Sequence, residues 1–223
     1  MASTLDAAIG DTVPVVVQPV TPEALVGRLV GFVTALDAGR RWRIAIDGAP
    51  ATAPGDLADA LVGPLRAAGR PVVRASASDF LRRASLRWER GREDADALFE
   101  DWLDAGALTR EVLVPFGPAG TGRYLPSLRD PVRDRSTRAG TLQAPAGAVL
   151  VLDGTLLLGR VTALDLSVHL ALRPETLARR TPTADRWSLP AFARYAAEVD
   201  PERAADVVVR VDDPRHPALV LPV

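Results

Sequence analysis

Short apolar runs alternate with amphipathic stretches along most of the chain. Five runs have the length of a strand, at residues 42–46, 71–75, 148–152, 164–172 and 206–211. Between them, apolar residues recur at helical spacing, and Gly or Pro marks the boundaries. Strands that alternate with helices predict an α/β fold: a doubly wound, mostly parallel five-stranded sheet with helices on both faces.

The same pattern predicts the domain organisation. Residues 1–20 show no clear period, and we expect a flexible N-terminal arm there. Residues 21–223 are predicted to form a single domain that opens with a helix over 21–38. Thr21 is a suitable N-cap for that helix, and Pro22 suits its first position, where the missing N–H costs nothing.

Composition excludes several kinds of chemistry. The net charge of −1 gives no general attraction to nucleic acid or to an anionic membrane, so we expect neither as a partner. The chain has no Cys, hence no thiolate nucleophile and no cysteine zinc site, and all 27 basic residues are Arg. No apolar run reaches membrane-span length and no basic segment precedes an apolar one at the N-terminus, which favours a cytoplasmic protein.

The first strand-to-helix turn has the outline of a phosphate-binding loop. The pattern GxxxxGK[ST] needs a second Gly for backbone approach, a Lys for the terminal phosphates and a hydroxyl for Mg²⁺. Set in register on Gly48, these positions hold Ala53, Pro54 and Gly55. Asp56 then places a carboxylate in the first helical turn, where it satisfies the helix dipole and repels an anion. The sequence therefore predicts the frame of the loop without its chemistry, although the remaining amides could still hold a phosphate weakly.

Further short motifs follow the loop in a characteristic order. They are Arg74-Ala75-Ser76 before Asp79-Phe80, Arg90-Gly91-Arg92, Phe99-Glu100-Asp101, Gly117-Pro118 with Arg123-Tyr124, Val151-Leu152-Asp153-Gly154, and Tyr195 with Glu198-Val199-Asp200-Pro201. With these motifs, residues 42–211 resemble the uridine kinase-like family of P-loop nucleoside kinases, with a degenerate Walker A loop. The resemblance implies a P-loop kinase fold and transfer of the γ-phosphoryl group of ATP, with Mg²⁺, to the 5′-hydroxyl of a nucleoside.

Two acids are the catalytic candidates that the resemblance implies. The family has an acidic base after its second strand; the natural register places Ser78 there, and Asp79 follows one residue later. Asp79 is thus a candidate base, or alternatively the cap of a turn before Phe80. Asp153 ends an apolar strand and is a candidate Mg²⁺-side acid, or alternatively part of a turn with Gly154.

The resemblance also implies two groups of binding residues. The insertions over 76–138 are expected to hold the acceptor, and the segment 179–190 is expected to be a shortened lid. The acceptor-side candidates are Arg82, Arg90, Arg92, Glu93, Asp101, Arg123, Tyr124 and Arg135, and the lid candidates are Arg179, Arg180 and Arg186. The alternative for each arginine is a solvated side chain or one paired with a nearby acid. His169 lies in an apolar strand and is expected to be a satisfied core residue.

Three hypotheses follow. The first is a kinase homologue that binds a nucleoside or a similar small polar ligand without efficient phosphoryl transfer, and it assigns no cofactor or metal. The second is an active ATP-dependent uridine kinase, in which the lid arginines contact the phosphates and Asp79 or Asp153 coordinates Mg²⁺. The third is a structural protein that forms a homo-oligomer through the helix over 22–36.

Overall fold

The structure is a computed structural model that describes residues 15–222. Most of the arm predicted over residues 1–20 lies outside this range. Its last part is not a loose arm, because Val15–Pro19 forms an edge strand that pairs with the last strand of the chain. Pairing satisfies the backbone N–H and C=O groups that an arm would leave to water.

Eleven strands occur in the described residues. In chain order they are β1 (Val15–Pro19), β2 (Trp42–Gly48), β3 (Val72–Ser76), β4 (Arg123–Tyr124), β5 (Arg129–Asp130), β6 (Arg135–Ser136), β7 (Leu142–Gln143), β8 (Val149–Gly154), β9 (Leu166–Ala171), β10 (Val207–Arg210) and β11 (Ala218–Pro222). Seven form the central sheet in the order β1-β11-β10-β9-β2-β8-β3, and β4–β7 and β5–β6 are separate small pairs.

The predicted fold class is confirmed, but the predicted number of strands is wrong. The five predicted strands are β2, β3, β8, β9 and β10, and their pairings with one another are parallel. The other two central strands, β1 and β11, pair antiparallel at one edge. They fall in the predicted arm and in the short C-terminal run, where the hydrophobic pattern alone does not indicate pairing.

Helices cover both faces of the sheet. They are α1 (Pro22–Thr34), α2 (Pro54–Ala67), α3 (Ala84–Arg87), α4 (Ala95–Glu100), α5 (Ala105–Leu108), α6 (Val114–Phe116), α7 (Pro174–Arg180), α8 (Leu189–Glu198) and α9 (Pro201–Ala204). A π-helical segment, Thr109–Leu113, joins α5 to α6, and 3₁₀ turns occur at Pro50–Thr52, Ala77–Phe80 and Thr183–Ser188. Among these described helices, none is both long and apolar enough to cross a membrane.

Side chains alternate across the sheet to build two cores. In β2, Ile44 and Ile46 point to the face covered by α1 and α2, whereas Ala45 points to the opposite face. In β8, Val151 packs in the same core as Ile44 and Ile46, and Leu152 packs in the core on the opposite face. This period of two explains why the central strands read as continuous apolar runs, since both of their faces are buried.

The N-terminal helix begins as its sequence predicts. The Thr21 hydroxyl accepts a hydrogen bond from Ala24 N at 3.2 Å, and Pro22 is the first residue of α1. Leu25, Leu29 and Val33 lie on its buried face at a spacing of four residues. The apolar stripe of α1 is therefore used within the domain core.

The parallel strands bring their carboxyl ends together at one edge. In register, Asp47 of β2 lies opposite Gly154 of β8, and Asp153 lies opposite Ser76 of β3. The loops after β2, β3 and β8 therefore meet at this edge, where ligands bind in open α/β sheets.

Candidate functional site

The loop after β2 folds onto itself. Pro50–Thr52 forms a 3₁₀ turn, and the Thr52 hydroxyl donates to Ala49 O at 2.7 Å. Ala53 follows in the left-handed region, with φ 51° and ψ 57°, and α2 begins at Pro54. That conformation costs a non-glycine residue about 1–2 kcal/mol, so the loop keeps the turn of a phosphate loop at a position where Gly would be favoured.

Few amides of this loop are available to an anion. Thr52 N donates to Ala49 O at 2.8 Å, and Ala53 N donates to Pro50 O at 3.0 Å. Pro50 and Pro54 have no N–H at all. Of the eight residues 48–55, four therefore have no backbone N–H free to donate to an anion. Such a loop is poorly suited to binding phosphate oxygens.

The helix that follows the loop has no side-chain N-cap. Pro54 is buried at its first position, and Gly55 comes next. Asp56 lies exposed in the first turn, and its carboxylate makes no hydrogen bond to a described residue. Its effect on the helix is therefore electrostatic: a negative charge near the positive end of the dipole.

An arginine from β3 lies between the loop and Asp153. Arg74 Nη1 is 2.6 Å from Asp153 Oδ1, and Arg74 Nε is 2.7 Å from Asp59 Oδ1. Arg74 Nη2 also approaches Gly55 O at 3.4 Å. Ser76 donates to the other oxygen of Asp153, Oδ2, at 3.2 Å. The carboxylate that ends β8 is therefore already paired within the chain.

The ATP and Mg²⁺ that the resemblance implies do not fit these residues. Gly55 has no hydroxyl to coordinate a metal. Asp153 Oδ2 accepts a hydrogen bond from Ser76, and Asp153 Oδ1 lies 2.6 Å from the Arg74 guanidinium in an ion pair without hydrogen-bond geometry. Within residues 15–222, no group of three or more His, Cys, Asp or Glu side chains is arranged to hold a metal ion. The loop likewise lacks both a cation and a full set of amides for a triphosphate.

Asp79 lies in the 3₁₀ turn that follows β3. Burial raises the pKa of its carboxyl, and the nearby charge of Asp153 raises it further, against the opposing charge of Arg74. A raised pKa is typical of a general base, but it is equally the result of a half-buried structural acid. The structure places Asp79 near Asp153, and its role as a base stays a prediction.

The raised pKa of Asp79 predicts a specific dependence of stability on pH. The stabilisation linked to this group is complete below the ordinary pKa of 3.8 and is lost as pH rises through the raised folded value. We expect Asp79→Asn to melt at a higher temperature than the wild type near neutral pH, with the difference vanishing in acid. Thermal melts across the acidic range measure this.

Asp213→Asn is the matched control. Hydrogen bonds from His216 and Arg215 lower the pKa of Asp213 to about 2, so its stabilisation is present above the ordinary pKa and is lost as pH falls. This variant should therefore be destabilised towards neutral pH. An Asp79→Asn profile parallel to that of the wild type would contradict the raised pKa.

A cavity of about 540 Å³ opens beside the loop, between the carboxyl ends of β3 and β8 and helices α4 and α8. Pro54, Gly55 and Asp153 line one end. The apolar wall is formed by Leu81, Leu98, Trp102, Leu156, Trp187 and Phe192. The rings of Trp102 and Trp187 are in tilted contact, with centroids 5.6 Å apart. The size and the aromatic wall are typical of a site for a small molecule.

Two of the residues that line this cavity carry buried polar atoms without partners. Trp102 Nε1 and Thr155 Oγ1 are shielded from solvent and have no hydrogen-bond partner among the described residues. Arg160 also lines the cavity and donates to Glu100 O at 3.0 Å. Burial lowers the pKa of Arg160 below its ordinary value, and the nearby charge of Arg82 adds to that effect. Among the residues that line the cavity, Arg160 can therefore offer a cation to a ligand.

The predicted acceptor-side residues lie elsewhere. In the described part of the chain, none of the eight lines this cavity. Arg90 is paired with Glu100 and Asp101, and Arg82 with Asp101, while Arg92 stacks on Trp88. Glu93 is exposed. These arginines therefore pair or pack at the surface, and their role as acceptor ligands stays a prediction.

The remaining predicted acceptor residues belong to the small strand pairs. Arg123 donates to Thr141 Oγ1 at 3.0 Å, and Tyr124 is buried edge-on against Phe116. Arg135 is exposed in a separate basic depression on the β5–β6 pair. Arg123 and Tyr124 thus lie on a different small strand pair from Arg135, and their role in holding an acceptor stays a prediction.

The three arginines of the predicted lid differ in their surroundings. Arg180 donates to Val211 O at 2.9 Å and to Asp212 O at 2.6 Å, and so fastens α7 to the end of β10. Arg179 and Arg186 are exposed. The same segment supplies Trp187 to the cavity wall, so its part in the site is aromatic.

A buried network lies beneath the start of the loop. Asp47 is fully buried and accepts hydrogen bonds from Leu157 N and Tyr195 OH, both at 2.9 Å. His169 Nδ1 is 2.7 Å from the same carboxylate. Tyr195 OH accepts in turn from Leu158 N at 2.9 Å, and burial raises its pKa. His169 is thus a paired core residue, and the network joins β2, β9, α8 and the segment after β8.

Sequence motifs do not indicate the contacts of several site residues. Trp102 and Trp187 are two of only four Trp in an aromatic-poor chain, and each interrupts a polar stretch. Arg74 is a charged residue in the middle of an otherwise apolar strand. Both features are unusual enough to indicate a special position, although neither identifies the contacts.

Comparison with known proteins bears on the fold. No known protein-family model matches the chain, and no curated protein matches it. Among solved structures, the chain is similar to a possible uridine kinase from Bacillus stearothermophilus, with 19% identity and a TM-score of 0.69 over 83% of this chain and 97% of that one. It is also similar to a "putative fructose transport system kinase" from Silicibacter sp. TM1040, with 22% identity and a TM-score of 0.55 over 83% and 92%.

The name of the first structure mentions uridine, and that of the second mentions a fructose transport system. One fold serves many functions, so similarity at this level of sequence identity shows the architecture of the chain but does not identify its substrate. The chain has the α/β fold of uridine kinase-like and related P-loop kinases.

Proposed function

We propose that the protein binds a nucleoside or a closely similar small polar ligand in the aromatic cavity, without efficient phosphoryl transfer. The observation that carries the proposal is the cavity wall itself, formed by Trp102, Trp187 and Phe192. Aromatic faces favour stacking of a base, which is worth about 1–3 kcal/mol per base. Arg160 lines the same cavity, and its guanidinium can donate hydrogen bonds to polar groups of such a ligand.

The donor side supports the second half of the proposal. Phosphoryl transfer depends on positioning and on neutralising charge at the γ-phosphate. Here Pro54 stands where the pattern has Lys, and Thr52 and Ala53 donate their amides within the loop. Removal of one preorganised donor typically costs about 10²–10³ in rate, and several are missing.

The first test is direct binding. Uridine and cytidine are titrated into the protein and followed by calorimetry and by tryptophan emission, with ribose and fructose as controls without a base. We expect both nucleosides to release heat and to change the emission of Trp102 and Trp187, whereas the sugars do not. If the protein bound fructose in preference to nucleosides, the proposed ligand class would be wrong. A sugar would then be the better candidate, as the name of the second similar structure suggests.

The second test separates binding from transfer. With Mg·ATP and uridine or cytidine, we expect no nucleoside monophosphate above the blank. Turnover that Asp79→Asn abolishes would contradict the proposal and establish the active-kinase alternative, to which the raised pKa of Asp79 is suited.

A further inference from the structure

We propose that the Arg74 guanidinium takes the place of a divalent cation between the loop and Asp153. The positive charge that neutralises Asp153 then comes from a side chain of the protein and not from a bound metal ion. This inference rests on the contacts of Arg74 and stands whether or not the aromatic cavity binds a nucleoside.

The contacts of Arg74 are those of a bridging cation. One side chain reaches the Asp153 carboxylate at 2.6 Å, the Asp59 carboxylate at 2.7 Å and the carbonyl oxygen of Gly55 at 3.4 Å. It also donates to Ala75 O. A guanidinium suits this arrangement because its planar fork presents five N–H donors in fixed directions. All the acceptors are oxygens, the ligand atoms that Mg²⁺ prefers.

Partial burial strengthens the pair. The Arg74 side chain is 24% exposed and that of Asp153 is 14% exposed, so water screens the two charges less than at an open surface. Arg74 lies in β3 between Val73 and Ala75, whose side chains are buried, so the strand fixes the position of the Arg74 backbone. The guanidinium is therefore held at this place by the sheet.

A metal ion would have to displace this arrangement. Mg²⁺ requires near-octahedral oxygen ligands at about 2.0–2.1 Å, and the Asp153 carboxylate already forms an ion pair with Arg74 through Oδ1 and accepts a hydrogen bond from Ser76 at Oδ2. The positive charge of Arg74 also repels an approaching cation. Removal of the guanidinium should consequently uncover a weak cation site made by Asp153 and Asp59.

The experiment measures metal binding with no nucleoside or nucleotide present. Mn²⁺ is titrated into the wild type, Arg74→Ala and the double variant Arg74→Ala, Asp153→Asn, and free Mn²⁺ is followed by electron paramagnetic resonance. We expect binding to Arg74→Ala at least about tenfold tighter than to the wild type, a change of about 1.4 kcal/mol. The double variant should return to the wild-type affinity, because the carboxylate that anchors the ion is gone.

Melting temperature gives a second readout. Mg²⁺ should raise the melting temperature of Arg74→Ala relative to NaCl of equal ionic strength, and it should leave that of the wild type unchanged. Arg74→Lys is the conservative control: it keeps the charge but loses the fork, and it should bind Mn²⁺ no better than the wild type.

Two results would overturn the inference: saturable Mn²⁺ binding by the wild type that the double variant loses, or a folded Arg74→Ala with no gain in Mn²⁺ affinity. Should Arg74→Ala fail to fold by circular dichroism, Arg74→Gln keeps the polar stem and is held to the same criterion. Because no nucleoside is present, a failure here leaves the aromatic cavity untouched, and a failure of nucleoside binding leaves the role of Arg74 untouched.

Discussion

Trp102→Ala is expected to weaken uridine binding by about 1–3 kcal/mol, or roughly 5- to 150-fold in dissociation constant. Truncation removes an aromatic face of the cavity wall, its contact with Trp187 and the indole N–H that lacks a partner among the described residues. Calorimetric titration of uridine into the variant measures the change. Trp187→Ala removes the other ring of the pair and should have an effect of the same order.

Trp42→Ala is the matched control. Trp42 begins β2, at the amino end of the sheet, where Arg40 stacks on its ring and its Nε1 donates to Asp37 O at 2.7 Å. Its loss should leave the uridine affinity unchanged. Equal losses from Trp42→Ala and Trp102→Ala would point to general destabilisation and would count against the cavity as the binding site.

The parallel core of the fold could be predicted because its signals are local. The apolar runs of β2 and β8 are buried on both faces, and Thr21 with Pro22 specifies the start of α1. The two antiparallel strands at one side of the sheet could not be predicted in the same way. β1 and β11 are defined by pairing with each other across almost the whole length of the chain, and short runs carry no information about such partners.

The candidate site was predictable only in part, for a related physical reason. A motif indicates which residue types are missing from a loop, and Ala53 and Pro54 are read directly from the sequence. It does not indicate which side chain replaces the lost contacts, because Arg74 reaches Asp153 only through the alignment of β3 with β8. The same holds for Trp102 and Trp187, which meet through tertiary packing.

The arginines predicted to hold the acceptor show how contacts with nearby acids also limit prediction from the sequence. Arg90 lies among acids that are close in sequence, and it pairs with Glu100 and Asp101 at 2.8 and 2.6 Å. An exposed arginine gains more from such neighbours than from pointing into an apolar cavity, where desolvation opposes its charge. Arg160 does line the cavity, and burial lowers its pKa accordingly.

Asp47→Ala is expected to have the largest effect on stability, lowering the free energy of unfolding by about 3–5 kcal/mol. The Asp47 side chain is fully buried, and its removal leaves Leu157 N, Tyr195 OH and His169 without their common acceptor. Since domains are stable by about 5–15 kcal/mol, the loss is a large fraction of the total. Equilibrium unfolding in urea measures it as a lower midpoint at constant slope.

Two further variants test whether the network, and not the carboxylate charge alone, provides this stability. Tyr195→Phe removes one donor while keeping the ring, and it should cost about 1–3 kcal/mol, since Leu158 N also loses its acceptor. Asp56→Ala, at an exposed position nearby, should change stability by less than about 1 kcal/mol. If Asp47→Ala proved as mild as Asp56→Ala, the network would not hold the loop, α8 and the segment after β8 together. The cavity that these elements frame would then need another source of rigidity.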